Sequence, residues 1–164
     1  MISNRETISA LIEAASVRAV EYRNHFHMYP ELSGEERETA AFVADKLRSM
    51  GIEVRENIAG YGLIGTIYGK DRTRGVGIRA DMDALPVEEH VDSPMRSCRP
   101  GVMHACGHDM HTAILLGAAD VLNSIKDELP LLIKAKIDNL FKTVDVIGFQ
   151  YLRLNFVNIF ILKT

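Results

Sequence analysis

Gly75-Val76-Gly77-Ile78-Arg79-Ala80-Asp81-Met82-Asp83-Ala84-Leu85-Pro86 runs from a strand signal straight into two carboxylates and a proline stop. A strand that delivers acidic side chains at its carboxyl end is what an α/β sheet offers to a ligand. Working upstream, Lys70 to Arg74 is polar and reads as a turn. Leu63-Ile64-Gly65-Thr66-Ile67-Tyr68-Gly69 is a second β-rich run, and Ile52 and Val54 alternate with polar neighbours as a third. Before these lie two helices. Ile8, Leu11, Ile12, Ala15, Ala19, Tyr22 and Phe26 recur at helical spacing, and Pro30 stops that helix. Ser33 followed by Glu36 has the form of a capping box, Phe42, Val43, Leu47 and Met50 supply the next apolar face, and Gly51 suits a left-handed stop. Downstream, Met110 to Ile125 predicts a last helix with Asp109 as its N-cap. Helix, helix, three strands and helix make an α/β pattern, a layered sheet with flanking helices.

The chain has 164 residues, 47% hydrophobic and 25% charged, the balance of about one globular domain. Its formal net charge is −3, so no basic field draws nucleic acid or an anionic membrane. Cys98 and Cys106 are too few for a disulfide framework, and the amino terminus shows no secretory signal. The expected setting is the cytoplasm, where a cysteine matters as a thiolate or a metal ligand.

The chemistry concentrates in Gly101-Val102-Met103-His104-Ala105-Cys106-Gly107-His108-Asp109-Met110-His111, which holds three of the six histidines. In extended backbone, side chains two apart point the same way, so Cys106 and His108 can reach one ion. Gly107 lets the chain bend between them. Thiolate with imidazole suits zinc or a late first-row metal better than calcium or magnesium. Against this, Cys-x-His arises by chance, and a catalytic ion normally takes three protein ligands. Asp81 and Asp83 can orient a metal-bound histidine or bind an ion, or they are simply a polar strand exit.

Read with His27-Met28-Tyr29-Pro30-Glu31-Leu32-Ser33, the two segments resemble the metal-dependent amidohydrolases of the aminoacylase/carboxypeptidase superfamily. The likeness is to the branch of hippurate, N-acyl-amino-acid and indole-acetyl-amino-acid hydrolases, and covers about residues 5 to 130. It implies the first half of a two-metal peptidase-like catalytic domain. It implies Cys106 and His108 as metal ligands, Asp83 as the carboxylate beside the metal centre, and Asp81 as support at the strand end. His104 and His111 stand either behind these ligands or in satisfied polar packing around the loop. His25, His27 and His90 are left as structural or surface residues, and Cys98 as a bystander. The implied cofactors are two divalent ions, drawn from zinc, manganese, cobalt or nickel. The implied substrate is a small N-acyl amino acid.

The pattern then breaks. The resemblance calls for a strand ending in a Glu-Glu pair, one glutamate acting as base and one as ligand. The chain instead continues Leu131-Leu132-Ile133-Lys134-Ala135-Lys136-Ile137-Asp138, with no glutamate after Glu128 and no histidine after His111. The general base, later ligands and dimerisation domain of the family are therefore absent from this sequence. Residues 1–130 read as the N-terminal half of the catalytic domain. Residues 131–164 read as an apolar tail from a frameshift or altered gene end. Val144 to Leu162 can be a membrane span, ordinary core or a non-native tail. Arg153 alone costs a span about 2.5 kcal/mol or more, which favours the latter two.

Two functional classes follow. One is an amidohydrolase by descent whose isolated chain is inactive. The other is a non-enzymatic metal-binding or interaction fragment keeping half the fold. A zinc nucleobase deaminase is excluded, since neither His-x-Glu nor Pro-Cys-x-x-Cys occurs.

Overall fold

In the computed structural model, residues 4–138 are described in full, and 149–154 and 157–163 as backbone. Helix α1 spans Arg5–Met28 and α2 Arg37–Ser49; strands β1 (Glu53–Ile58), β2 (Gly62–Ile67) and β3 (Asp71–Ala80) follow. Helix α3 (His108–Ser124) and a short 3-10 turn (Lys126–Glu128) lead to β4 (Leu131–Ile137), β5 (Phe149–Leu154) and β6 (Val157–Lys163). The architecture is α/β, as the sequence pattern predicts.

The sheet order is β1-β2-β4-β3-β6-β5. Strands β3 and β4 are parallel, so the chain must cross over between them, and α3 is that crossover. Every other pairing is antiparallel. Helices α2 and α3 lie against the sheet and α1 packs on α3. The core joins Phe26, Val43, Ala44 and Leu47 to Leu63, Ile67, Leu116, Ala135 and Ile137. These side chains are almost wholly removed from water, the main favourable term in folding.

Several local expectations are corrected. Helix α2 begins at Arg37, not at a Ser33 cap, because Glu36 turns back to accept the Gly34 N–H at 2.9 Å. The open end of α2 is served from outside the helix. Glu31 accepts the N–H groups of Glu38 and Thr39 at 3.2 and 2.7 Å and the Thr39 hydroxyl at 2.7 Å. Gly51 does take the left-handed conformation expected of it, with φ +76°.

Asp109 is not the cap of α3. The helix starts one residue earlier behind Gly107, whose φ of +86° favours glycine, and Asp109 is buried inside the first turn. Lys70 to Arg74 is only partly a turn, since β3 starts at Asp71 and carries a register shift before Gly75. Within that shift Asp71 accepts from the N–H and hydroxyl of Thr73 at 2.8 and 2.7 Å. Ile12 faces water at 51% exposure, while Ala15 and Phe26 carry the buried side of α1.

Leu131–Ile137 lies inside the sheet rather than beyond it. β4 pairs on both sides, with β2 and β3. Gly69 makes close contact with this segment, since a Cβ there would stand 2.3 Å from the Leu131 carbonyl oxygen. Of the stretch 144–162, the backbone at 149–154 and 157–162 is strand, and 144–148 and 155–156 lie outside the described residues. Among the described residues, no helix is long and apolar enough to cross a membrane.

Candidate metal centre

The carboxyl end of β3 and the amino end of α3 meet at one place. Past Ala80 the chain is held by two isolated bridges, Leu32 with Ala84 and Leu85 with Met103. The second brings Cys106 and His108 alongside Asp83, and the Thr112 hydroxyl donates to the Asp81 carbonyl at 2.8 Å to tie α3 to the strand end.

His108 is fixed by Asp83. Its Nδ1 lies 2.9 Å from Asp83 Oδ1 and 3.0 Å from the Asp83 carbonyl, both acceptors, so the proton sits on Nδ1. That leaves Nε2 directed to Asp81 Oδ2 at 3.9 Å. The Asp83 hydrogen bond raises the His108 pKa, against burial that lowers it. Burial works to raise the Asp83 carboxyl, but the His108 hydrogen bond and charge prevail and hold it below its ordinary value.

One donor atom each from Asp81, His108 and His111 lie within 4.8 Å of one another. The two rings are 5.5 Å apart. Cys106 is outside this group of three. Its exposed thiol donates to the Asp83 carbonyl at 3.8 Å, and burial foremost raises its pKa. One carboxylate and two imidazoles, with a thiol beside them and one tautomer already set, form a donor set that fits a borderline divalent ion. The other oxygen of Asp81 is held by Arg79, which is buried and bonded to Asp138 at 2.7 Å. Lys136 reaches the second oxygen of Asp138 at 2.8 Å.

His104 is brought near these groups but makes no satisfied packing. It is buried, neither ring nitrogen has a hydrogen-bond partner among the described residues, and burial pushes its pKa down to about 4. His90 and Cys98 are exposed, and neither belongs to the group of three donors. Sequence reasoning passed over His27. It is buried, with Nδ1 2.7 Å from Asp109 and Nε2 3.2 Å from Glu89. The available signal was its place at the head of the His27–Ser33 motif.

A family model described as Peptidase family M20/M25/M40 matches residues 77–141, the span that carries β3, the Asp81–Asp83 pair and the Cys106–His111 turn. Over these residues the chain is similar to that family. The chain is 45% identical over 126 residues to an N-acetyl-L-cysteine deacetylase of Bacillus subtilis, covering 77% of this chain and 29% of the relative. It is 40% identical over 125 residues to an N-acyl-L-amino acid amidohydrolase of Geobacillus stearothermophilus, covering 76% of this chain and 34% of that one. A crystal structure of a dinuclear metal-binding M20 peptidase from Bacillus subtilis superimposes with a TM-score of 0.72 at 36% identity, covering 76% of this chain and 35% of that chain. The resemblance read from the three motifs therefore holds. The chain spans about a third of the length of these relatives.

Proposed function

We propose that this chain is the metal-binding first part of an amidohydrolase catalytic domain that acts on the amide bond of N-acyl amino acids. We further propose that alone it binds a divalent ion without turning over substrate. The observation that carries the reading is the His108 ring, locked by Asp83 so that Nε2 faces Asp81 and His111. Asp81, His108 and His111, with Cys106 and His108 as the pair the motif implies, are the residues offered to metal. A bound ion would polarise an amide carbonyl and lower the pKa of a water. Asp83 keeps the Nδ1 proton in place, and Arg79 restrains the Asp81 carboxylate. No glutamate follows Glu128, so the proton acceptor expected of the family is not among these residues.

Zinc, manganese, cobalt and nickel all suit the donors, and a reducing cytoplasm would keep Cys98 and Cys106 as the free thiols seen here. We infer that residues 131–164 depart from the family after β4 rather than at Pro130, a reading supported by a family model that reaches residue 141. A Glu-Glu segment encoded downstream in another frame is the expected finding. Equilibrium dialysis against zinc or cobalt, with assays on N-acetyl and N-benzoyl amino acids, tests the function. Stoichiometric metal without hydrolysis is expected. Turnover by the chain alone would overturn the inactive reading, and failure to bind metal would overturn the site.

A further inference from the structure

We infer that His27 and Arg23 of α1, acting through Asp109, are positioning residues that set the Cys106–His111 turn for its ion. The inference rests on the metal reading above. Asp109 follows His108 directly and is 1% exposed. Its Oδ2 meets His27 Nδ1 at 2.7 Å and Arg23 Nε at 3.1 Å, while its Oδ1 accepts the Met110 N–H at 2.9 Å. Gly107 accepts the N–H groups of Met110 and His111 at 3.1 and 3.2 Å, so this turn is closed on itself. Anchoring Asp109 to α1 therefore fixes how the first turn of α3 is rotated, and with it the directions of His108 and His111.

The same His27 ring also holds the approach to the turn. Its Nε2 lies 3.2 Å from Glu89, which is 4% exposed and accepts the Ser97 N–H at 2.7 Å. The Ser97 hydroxyl donates to the Val102 carbonyl at 2.7 Å. One imidazole thus clamps both the loop entering the turn and the helix leaving it. Apolar side chains of similar volume would pack this space without the desolvation cost of buried charges. An ionic cluster sets orientation, which apolar packing does less sharply.

Arg23→Gln and His27→Gln in the full chain test this, with cobalt affinity read by optical absorption and amide hydrogen exchange read along the chain. Weakened affinity of about tenfold for His27→Gln and about threefold for Arg23→Gln is expected, by analogy with groups that orient metal ligands. Exchange should rise in residues 104–112 while residues 41–48 of α2 keep the wild-type rate. Unchanged exchange and affinity in folded variants would overturn the proposal, as would equal acceleration in α2, which a purely structural role predicts. If His27→Gln does not fold, Arg23→Gln decides, since its side chain is 35% exposed. If the wild-type chain binds no cobalt, the metal reading fails, and the exchange pattern alone upholds or overturns the positioning role.

Discussion

Asp83 does its work through a neighbour. It does not belong to the group of three donors, yet it decides which nitrogen of His108 is available to them. Asp83→Ala should lower cobalt affinity by about 10- to 100-fold, the range seen when a group orienting a metal ligand is lost. The thermal midpoint should move little, because Asp83 is only half-buried; calorimetry beside a metal titration checks both. His25 supplies a different handle. Its ring stacks on Phe42 at 4.0 Å between centroids, and burial, then Lys46, lowers its pKa from the ordinary 6.5. A histidine depressed in the folded state contributes stability above its unfolded pKa and loses it as pH falls through the folded value. Denaturant midpoints should therefore fall as pH drops below about 6.5, the unperturbed histidine value. His25→Phe, which keeps the stack, should show a shallower fall.

At the scale of the element, α2 depends on a residue outside itself. Glu31 is 5% exposed and receives three hydrogen bonds from Glu38 and Thr39. Glu31→Ala leaves the buried N–H and hydroxyl of Thr39 unpaired, a loss of about 2 kcal/mol, measurable by urea unfolding. Faster exchange of the Glu38 and Thr39 amides should accompany it. The periodicity of α2 was plain in the sequence, but its start was not. Ser33 and Glu36 have the right spacing for a capping box, and only the folded chain shows Glu36 turned toward Gly34. Asp109 repeats the point. Its position before an apolar run suits an N-cap, whereas its partner His27 lies 82 residues away, beyond the reach of any local rule.

At the scale of the molecule, the sheet depends on β4. With β2 on one side and β3 on the other, its removal would divide the sheet in two. A chain ending at residue 130 should show no cooperative thermal transition, whereas the full chain should show one. Circular dichroism on the two chains makes the comparison. The apolar character of Leu131 to Ile137 was visible in the sequence, but not its place between two earlier strands, because parallel pairing across a helix joins segments distant along the chain.

What the sequence determined by itself were the quantities that local chemistry sets. Periods of 3.6 and 2 placed helices and strands, glycine at 51 placed a stop, and three motifs carried the family resemblance and the candidate residues of its metal segment. What the tertiary structure alone decided was which distant groups meet. It put His111 and Asp81 beside His108, left both His104 nitrogens unpartnered among the described residues, and turned Asp109 inward to α1. Side-chain partners of this kind follow from how helices and strands pack in space, and a linear order of residues holds no record of that packing until the chain has closed on itself.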